Sequence, residues 1–430
     1  MVGFVSVGTG ASASSAVEIV HPIPVEEARG MLATLSTTFL DDPSAPYFEH
    51  YVAAWTREWG LTRPWGARAN GRWVATLITE DHRLLIPDGA DGTREITVDG
   101  LTGVTVNATH RRRGLLTQML SGSLAEAKEL GHPLSILIAA EWPIYGRFGY
   151  APATQLASYT YFPRNRGAAI APTGRGQVHQ VDPTTIDDIA KDVFERSRLR
   201  AGQIDRDGDW WKRRLGTDGY TPVNHGKAPN YVVRYGPDGP DGLLWWAATK
   251  DFDLNGDMGT VSVGDLIAAT DDAYQDLWSY LSGIDVVGEI GLSFRPIDEP
   301  IRWLMPDGRA LRQTYTGDHV WLRLLDVPAA LSARGYARED RLVIEVRDDD
   351  IGRYGTGRFV LDSGDGSCTP TTESADIELT QRALAAIYLG GHSLRSQAIT
   401  HSVDEVTTGA VARLDAIFAT IRPPWNQTMF

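Results

Sequence analysis

Residues 104–116 read VTVNATHRRRGLL, an apolar run that leads into a basic, glycine-marked turn and then the start of a helix. The first free amides of a helix carry partial positive charge and have no partners within the helix. A glycine there lets the backbone approach phosphate oxygens, and arginines add charge. Gly114 and the arginines before it therefore predict a site for the pyrophosphate of a nucleotide, with a solvated helix start as the alternative.

The sequence on both sides of this turn predicts an α/β region over residues 17–165. We expect a helix near residues 24–35, strands near 71–78 and 101–106, and a further strand over 134–140. Apolar residues at three- and four-residue spacing predict a helix from Arg113 to Leu130, ended by Gly131. The residues predicted to be buried on this helix are Leu116, Met119, Leu120, Leu124 and Ala127.

A second region, residues 166–310, repeats the order of strand, turn and helix. It begins in a stretch rich in Pro, Gly and Arg, residues 162–176, which is typical of a linker. At the second turn Thr270 is a plausible helix cap, and Asp271 and Asp272 follow it. Acids in the first turn already complement the helix dipole and repel phosphate. We therefore expect a second copy of the fold without a cofactor site.

The last region, residues 311–430, places strands before helices and predicts an α+β domain. The strands are expected near 320–325, 342–346 and 357–361, and the helices near 379–389 and 409–418. The chain finishes in the apolar run PPWNQTMF, whereas most chain ends are polar and frayed. At the other end, residues 1–16 are expected to form a flexible arm.

Composition limits the function classes. A length of 430 residues predicts two or three domains, and a net charge of −14 argues against a nucleic-acid partner and favours a cationic substrate. The single cysteine, Cys368, suits a reducing compartment. The first twenty residues carry no Lys or Arg, and no apolar run is long enough to cross a bilayer. We therefore expect a cytoplasmic protein without a membrane span.

A metal site is not expected either. The stretch from Asp251 to Asp257 begins like a calcium loop, but Ser262 stands where such a loop needs a bidentate glutamate.

Two motifs carry a family resemblance: THRRRGLL at residues 109–116 and IYGRFGY at residues 144–150. In their order and spacing they resemble the Eis (enhanced intracellular survival) family of acetyltransferases in the GNAT superfamily. That family has an active GNAT region, a degenerate GNAT region and a C-terminal region similar to sterol carrier proteins. The resemblance thus implies tandem GNAT folds, mixed sheets flanked by helices, over residues 17–165 and 166–310, and a sterol-carrier-like α+β domain over 311–430.

The resemblance also implies an activity and a site. The activity is acetyl transfer from acetyl-CoA to amines, including several amines of aminoglycosides, by a homohexamer built as a dimer of trimers. Matched by position, the strand residues for the acetyl and pantetheine part are Val104, Thr105 and Val106, with Ala140 and Glu141 at the next strand end. The residues matched to the pyrophosphate are Arg112, Arg113, Gly114, Leu115, Leu116 and Thr117. Tyr145 resembles the family's proton donor, and the terminal carboxylate of Phe430 resembles its base.

The chemistry of these residues is consistent with those roles, with open alternatives. A tyrosine with a pKa of about 10 stays protonated at neutral pH and can donate to a leaving thiolate, although Tyr145 alone would more often be a packing residue. A terminal carboxyl, with a reference pKa of roughly 3.5, needs burial or a bridging water to accept a proton from an ammonium. Met429 stands where family members can carry an acid, which leaves one acceptor contact without its usual group.

Asp41 is a candidate for holding a polycationic acceptor, and an ordinary exposed loop acid is the alternative. For the whole chain we expect direct transfer in a ternary complex to an amine of a cationic small molecule or a lysine side chain. The rivals are an acyltransferase that prefers longer acyl chains, and a lipid- or partner-binding protein with a vestigial acetyltransferase site.

Overall fold

The structure, a computed structural model, describes residues 17–57, 59–165, 167–206, 208–217, 227–253, 256, 258–347 and 354–430. The expected flexible arm, residues 1–16, lies outside the described residues. The chain forms two compact units. The smaller unit contains the described residues up to Thr79 together with residues 103–123, and the larger unit contains residues 80–102 and 124–430. The expected domain boundaries, after residues 165 and 310, stay a prediction.

Residues 17–161 form a mixture of strands and helices. They are β1 (Val17–Val20), α1 (Ala28–Thr38), α2 (Phe48–Arg57), β2 (Thr62–Ala69), β3 (Arg72–Asp88), β4 (Gly92–Val106), α3 (Leu115–Glu129), β5 (Leu134–Ile138), α4 (Trp142–Tyr145), β6 (Ala151–Pro152) and β7 (Gln155–Tyr161). The helix predicted from Arg113 to Leu130 is α3. Its predicted inward face is confirmed for Met119, Leu120, Leu124 and Ala127, which are fully buried, whereas Leu116 is only partly buried.

The elements of the middle of the chain are β8 (Gln177–Val181), α5 (Asp187–Ser197), α6 (Gly208–Leu215), β9 (Asn230–Gly236), β10 (Gly239–Lys250), β11 (Gly259–Ala268), α7 (Asp271–Ser282), β12 (Val287–Arg295), β13 (Leu311–Asp318) and β14 (Val320–Leu324). Those of the last hundred residues are α8 (Val327–Ala333), β15 (Arg341–Arg347), β16 (Gly357–Asp362), β17 (Ser367–Pro370), β18 (Ile377–Thr380), α9 (Gln381–Ile387), α10 (Leu394–Gln397), β19 (Val403–Glu405) and α11 (Ala410–Phe418).

Each unit contains a run of paired strands. In the smaller unit the order is β1-β2-β3-β4, with β1 antiparallel to β2. In the larger unit the order is β3-β4-β5-β14-β6, and β14 is antiparallel to both of its neighbours. Strands far apart in sequence thus become neighbours, since β14 reaches back to β5 and β6. All five residues of β14 are buried, which suits an internal strand.

A second sheet of the larger unit has the order β13-β7-β12-β11-β10-β9-β8. Its parallel pair β11–β12, with α7 following β11, repeats the arrangement of β4, α3 and β5. The predicted cap of α7 is confirmed, because the Thr270 hydroxyl accepts a hydrogen bond from the Ala273 amide at 3.1 Å. Asp272 in the first turn is paired with Arg175.

The third sheet, β17-β16-β15-β18-β19, and the helices α8 to α11 form the α+β region predicted for the C-terminal part of the chain. The strand predicted near residues 320–325 is not part of this sheet, because β14 pairs with β5 and β6. Its core is continuous with that of the first sheet within the larger unit. One hydrophobic cluster contains Leu134 from β5, Leu322 from β14, Ile344 from β15 and Leu384 from α9. The region that carries the C-terminus is therefore packed directly on β5 and β14, and β5 leads into the second sequence motif.

Candidate active site

The basic turn of the smaller unit joins β4 to α3. After β4 the chain passes through a short 3₁₀ turn, Ala108–His110, and the side chains of Arg111, Arg112 and Arg113 are exposed. The helical hydrogen bonding starts where the Gln118 amide donates to the Gly114 carbonyl at 3.0 Å. The amides of Leu115, Leu116 and Thr117 precede that bond and are the free donors of the helix start. The sequence-predicted donors therefore lie together at one helix end.

Two residues of this turn adopt the left-handed backbone conformation. Gly114 has a φ of +75°, and Arg112 has a φ of +61°, which is uncommon for a residue with a Cβ. A Cβ built on Gly114 would meet little besides the side-chain nitrogen Nε2 of Gln118 at 3.7 Å, so the space beside Gly114 is open. Arg113 donates back to the Thr109 carbonyl at 3.3 Å, which holds the turn in shape.

The end of β4 supplies Val104, Thr105 and Val106. The Thr105 side chain is buried and its hydroxyl is 2.7 Å from that of Thr76 on β3. Thr76 also donates to the Gly103 carbonyl at 2.7 Å. Because the Thr105 hydroxyl is used inside the sheet, only backbone groups of this residue are suited to meet a ligand.

Asp41 also belongs to the smaller unit. It is exposed in the loop after α1, where its amide donates to the Ser36 carbonyl at 2.9 Å. Leu40 beside it is 95% exposed with a φ of +68°. This geometry fits both the acceptor-binding hypothesis and an ordinary loop acid.

The second motif lies in the larger unit, on the short helix α4 and the turn after it. Ala140 and Glu141 are exposed just before α4, and Tyr145 at its end is 6% exposed. Burial, and then the charge of Glu141, raise the pKa of Tyr145 to about 12. Tyr145 is therefore a neutral phenol, able to donate a proton, across the whole neutral pH range.

The turn after Tyr145 is held by buried polar contacts. Gly149 has a φ of +80°, and a Cβ there would collide with the guanidinium of Arg323, which donates to the Phe148 carbonyl. The Tyr150 hydroxyl is 2.7 Å from that of Ser135, which donates to Asp99 at 2.8 Å. Tyr150 and Tyr145 are in edge-to-face contact, with ring centroids 6.2 Å apart. Phe148 and Tyr150 are thus packing residues, and Arg323 from β14 supports the motif.

The C-terminal tail, residues 423–430, is buried over most of its length within the larger unit. The Trp425 amide donates to the Ala201 carbonyl at 2.9 Å, and the Asn426 amide group donates to the Thr428 carbonyl at 2.7 Å. Arg206, itself ion-paired with Asp265 at 2.6 Å, donates to the Thr428 hydroxyl at 3.1 Å. Hydrogen bonds and burial therefore hold this tail in place.

The last two residues differ in burial. Met429 is 45% exposed, whereas Phe430 is half-buried and packs against the hydrophobic core. Met429, at the position where the resemblance implies an acid, thus lies at the surface.

His82 on β3 is a residue that the sequence analysis missed. Its ring lies 4.7 Å from the Phe430 ring, centroid to centroid, at an interplanar angle of 66°. Its nitrogens lie 3.4 Å from an Asp205 oxygen and 3.2 Å from a Glu80 oxygen. The only local signal was the charged run EDHR, residues 80–83, inside an otherwise apolar strand.

The described part of the chain contains neither a metal-binding cluster nor a membrane-spanning helix. Among those residues, no group of three or more His, Cys, Asp or Glu side chains is placed to hold a metal ion. None of the helices described is both long and apolar enough to span a bilayer.

Comparisons with known proteins agree with this architecture. Family models described as acetyltransferase (GNAT) domains match residues 20–153 and 202–324, and a model described as a sterol carrier protein domain matches residues 327–427. In solved structures, the chain is similar to Eis1 from Mycobacterium abscessus, with a TM-score of 0.81 and 28% identity over 96% of this chain and 100% of that one. A GCN5-related N-acetyltransferase from Anabaena variabilis shares the fold, with a TM-score of 0.79 at 19% identity.

Curated relatives cover most of both chains. An uncharacterized N-acetyltransferase of Streptomyces griseus is 38% identical over 95% of this chain and 98% of its own length. The N-acetyltransferase Eis of Mycobacterium tuberculosis is 34% identical over 83% of this chain and 86% of its own length. These matches favour an enzyme over a lipid- or partner-binding protein. The chain therefore belongs to the Eis family of GNAT-superfamily N-acetyltransferases, with two GNAT domains and a C-terminal sterol-carrier-like domain.

Proposed function

We propose that this acetyltransferase moves the acetyl group of acetyl-CoA directly to an amine of a cationic acceptor, in a ternary complex. The acceptor class is aminoglycosides, acetylated at one or several amines, or lysine side chains. The observation that carries the proposal is the turn at the start of α3, where exposed arginines and a left-handed glycine precede free helix amides. The pyrophosphate of acetyl-CoA would be held there by Arg112, Arg113 and the residues from Gly114 to Thr117.

The thioester would lie along the end of β4. The parallel pairing of β4 with β5 covers Asp99 to Leu101, while β4 itself continues to Val106. Backbone groups of Val104, Thr105 and Val106 would then bind the thioester carbonyl as negative charge develops on it. Ala140 and Glu141, at the end of the neighbouring strand, would contact the same arm of the cofactor.

Proton transfer needs a donor and an acceptor. The neutral amine attacks the carbonyl carbon, the carbon–sulfur bond breaks, and the departing thiolate takes a proton from the Tyr145 hydroxyl. The amine loses its proton to the carboxylate of Phe430 through a bridging water. A buried, hydrogen-bonded tail supports this role, because it fixes the carboxylate instead of letting it fray. Asp41 would contribute charge for a cationic acceptor.

The compartment, the metal requirement and the oligomeric state are part of the same proposal. We propose that the enzyme works in the cytoplasm, without a metal, as a homohexamer arranged as a dimer of trimers. The support for the assembly is the family alone, and the support for the compartment is the single, buried cysteine.

The test is an acceptor panel assayed for thiol release from acetyl-CoA, with aminoglycosides, lysine peptides and neutral amines side by side. We expect turnover with the cationic acceptors, and mass spectrometry of the products then counts the acetyl groups. A competition between propionyl-CoA and acetyl-CoA tests acyl-chain preference. Thiol release that is equal for neutral and cationic amines, or absent for both, would overturn the proposed acceptor class.

A further inference from the structure

We infer that His82 is a positioning residue for acetyl transfer: fixed between Glu80 and Asp205, its ring holds the Phe430 ring and so sets the place of the terminal carboxylate. The inference rests on the proposed role of that carboxylate as proton acceptor.

The ring of His82 is held from both sides. Its two nitrogens lie 3.4 Å from an Asp205 oxygen and 3.2 Å from a Glu80 oxygen, and only 13% of its side chain is exposed. Turning the ring away from Phe430 would break both contacts at once. An edge-to-face contact with centroids 4.7 Å apart is within the favourable range for aromatic pairs. Phe430 therefore packs on a surface whose own orientation is fixed.

The chain leaves room for this ring. Gly100 on β4 lies beside His82, and a Cβ at that position would collide with the imidazole carbon Cδ2. A residue with a side chain at position 100 would push His82 out of its place beside Phe430.

Asp205 lies in a short segment that is hydrogen-bonded both to β3 and to the tail. The Asp205 amide donates to the Arg83 carbonyl at 3.1 Å, and the Arg83 amide donates back to the Asp205 carboxylate at 3.0 Å. One residue earlier, the Ile204 amide donates to the Asn426 side chain at 3.4 Å. The same short segment thus binds His82 through Asp205 and the tail through Ile204.

The charge of His82 argues against a role as the base. Burial lowers its pKa, but hydrogen bonds and charge from Asp205 and Glu80 outweigh burial and raise the pKa to about 9. Arg83 shares the Asp205 carboxylate and is the other cation of the group. A protonated imidazole cannot take a proton from the amine, so its part is to orient Phe430. A cation beside an aromatic ring adds to the attraction.

The test compares three variants in steady-state acetylation. His82→Ala removes the ring, His82→Phe restores an aromatic surface, and His179→Ala is the matched control, because His179 makes a similar edge-on contact with Tyr235 at 5.6 Å on other strands. We expect His82→Ala to lower kcat about 10- to 100-fold with KM for acetyl-CoA little changed, because misplacement of a reacting group acts on turnover. His82→Phe should recover only part of the loss, because its ring can pack on Phe430 but has no nitrogens to contact Asp205 and Glu80. His179→Ala should retain wild-type kcat.

A C-terminal extension by one glycine separates this inference from the proposed function. If the extension leaves turnover intact, the carboxylate is not the base and the proposed function fails at that point. If the extension collapses turnover while His82→Ala keeps wild-type kcat, the inference alone is overturned. If both hold, His82→Ala should cause no further loss in the extended chain, because the two changes act on one group. Should His82→Ala not fold, His82→Leu replaces it under the same kcat criterion.

Discussion

Tyr145 keeps its proton at any pH where the enzyme would work, since burial and the charge of Glu141 raise its pKa to about 12. Replacing it by phenylalanine removes the hydroxyl and leaves the ring. We expect Tyr145→Phe to lower kcat about 100-fold, the usual size of a lost general acid. KM for acetyl-CoA should change little.

The control for Tyr145 is Tyr161→Phe. Tyr161 is another buried tyrosine, and its hydroxyl donates to the Ala168 carbonyl at 2.8 Å in the second sheet. This control should cost stability and not turnover. Equal kcat in wild type and Tyr145→Phe, measured by thiol release under saturating substrate, would remove Tyr145 from the mechanism.

His82 should also make stability depend on pH. Its pKa is raised to about 9 in the folded chain against 6.5 in the unfolded chain. A raised pKa means that the folded state binds the proton more tightly, so this stabilisation is complete below pH 6.5 and is lost as the pH rises through 9. Relative to His82→Phe, the wild-type free energy of unfolding should fall by on the order of 3 kcal/mol over that range.

Thermal unfolding of both proteins from pH 6 to about 9.5 measures this difference. Subtracting the His82→Phe curve removes the contributions of other titrating groups. A difference between the two proteins that stays constant with pH would contradict the charged state assigned to His82.

Among the elements, helix α3 has a left-handed glycine at each end, so the effects of substitution at its two ends can be compared. Gly114, with a φ of +75°, precedes the helix, and Gly131, with a φ of +87°, follows it. A Cβ at Gly131 meets nothing within 4 Å, and one at Gly114 makes only an ordinary contact with the Gln118 side chain at 3.7 Å. Gly114→Ala and Gly131→Ala should therefore cost similar stability, about 1–2 kcal/mol of backbone strain.

Only Gly114→Ala should weaken cofactor binding, because its methyl group would occupy the approach of the pyrophosphate. We expect KM for acetyl-CoA to rise about tenfold, as for loss of roughly one charge-assisted hydrogen bond, and to stay unchanged for Gly131→Ala. An equal effect of the two substitutions on KM would mean that the start of α3 does not contact the cofactor.

The same helix shows which elements could be predicted from sequence. Its apolar spacing and glycines are local signals, so the predicted helix from Arg113 to Leu130 matches the observed Leu115–Glu129 closely. Thr270 as the cap of α7 was predictable for the same reason. In contrast, the predicted strand near residues 71–78 is β3, which continues to Asp88. The charged run at residues 80–83 hides that continuation, since sequence alone does not reveal its partners.

For the molecule as a whole, the pairing of strands that are far apart in sequence could not be predicted. Val320–Leu324 was expected as a strand, but nothing local indicates that it pairs with Leu134–Ile138. Likewise, the segment around Asp205 bonds to the strand around Arg83 and to the C-terminal tail. These hydrogen bonds join residues more than a hundred positions apart. His82 was overlooked because its importance comes entirely from these distant partners.

The proposed homohexamer predicts a molecular mass that can be measured in solution. A homohexamer should have six times the 47.1 kDa mass of the chain, measured by light scattering after size-exclusion chromatography. The mass should be independent of protein concentration in the micromolar range. A single-chain mass under those conditions would rule out the hexamer.

The proposed function depends most on binding of acetyl-CoA at the turn that begins α3, and isothermal titration measures this binding directly. Charge reversal of Arg112 and Arg113 to glutamate should lower the affinity for acetyl-CoA about 100-fold or more, since each charged hydrogen bond contributes about 1.5–3 kcal/mol. Reversal of the exposed Arg302 and Arg309, which changes the net charge equally, is the control and should lower the affinity far less. Equal affinities for acetyl-CoA in the wild type and the Arg112/Arg113 variant would contradict the account.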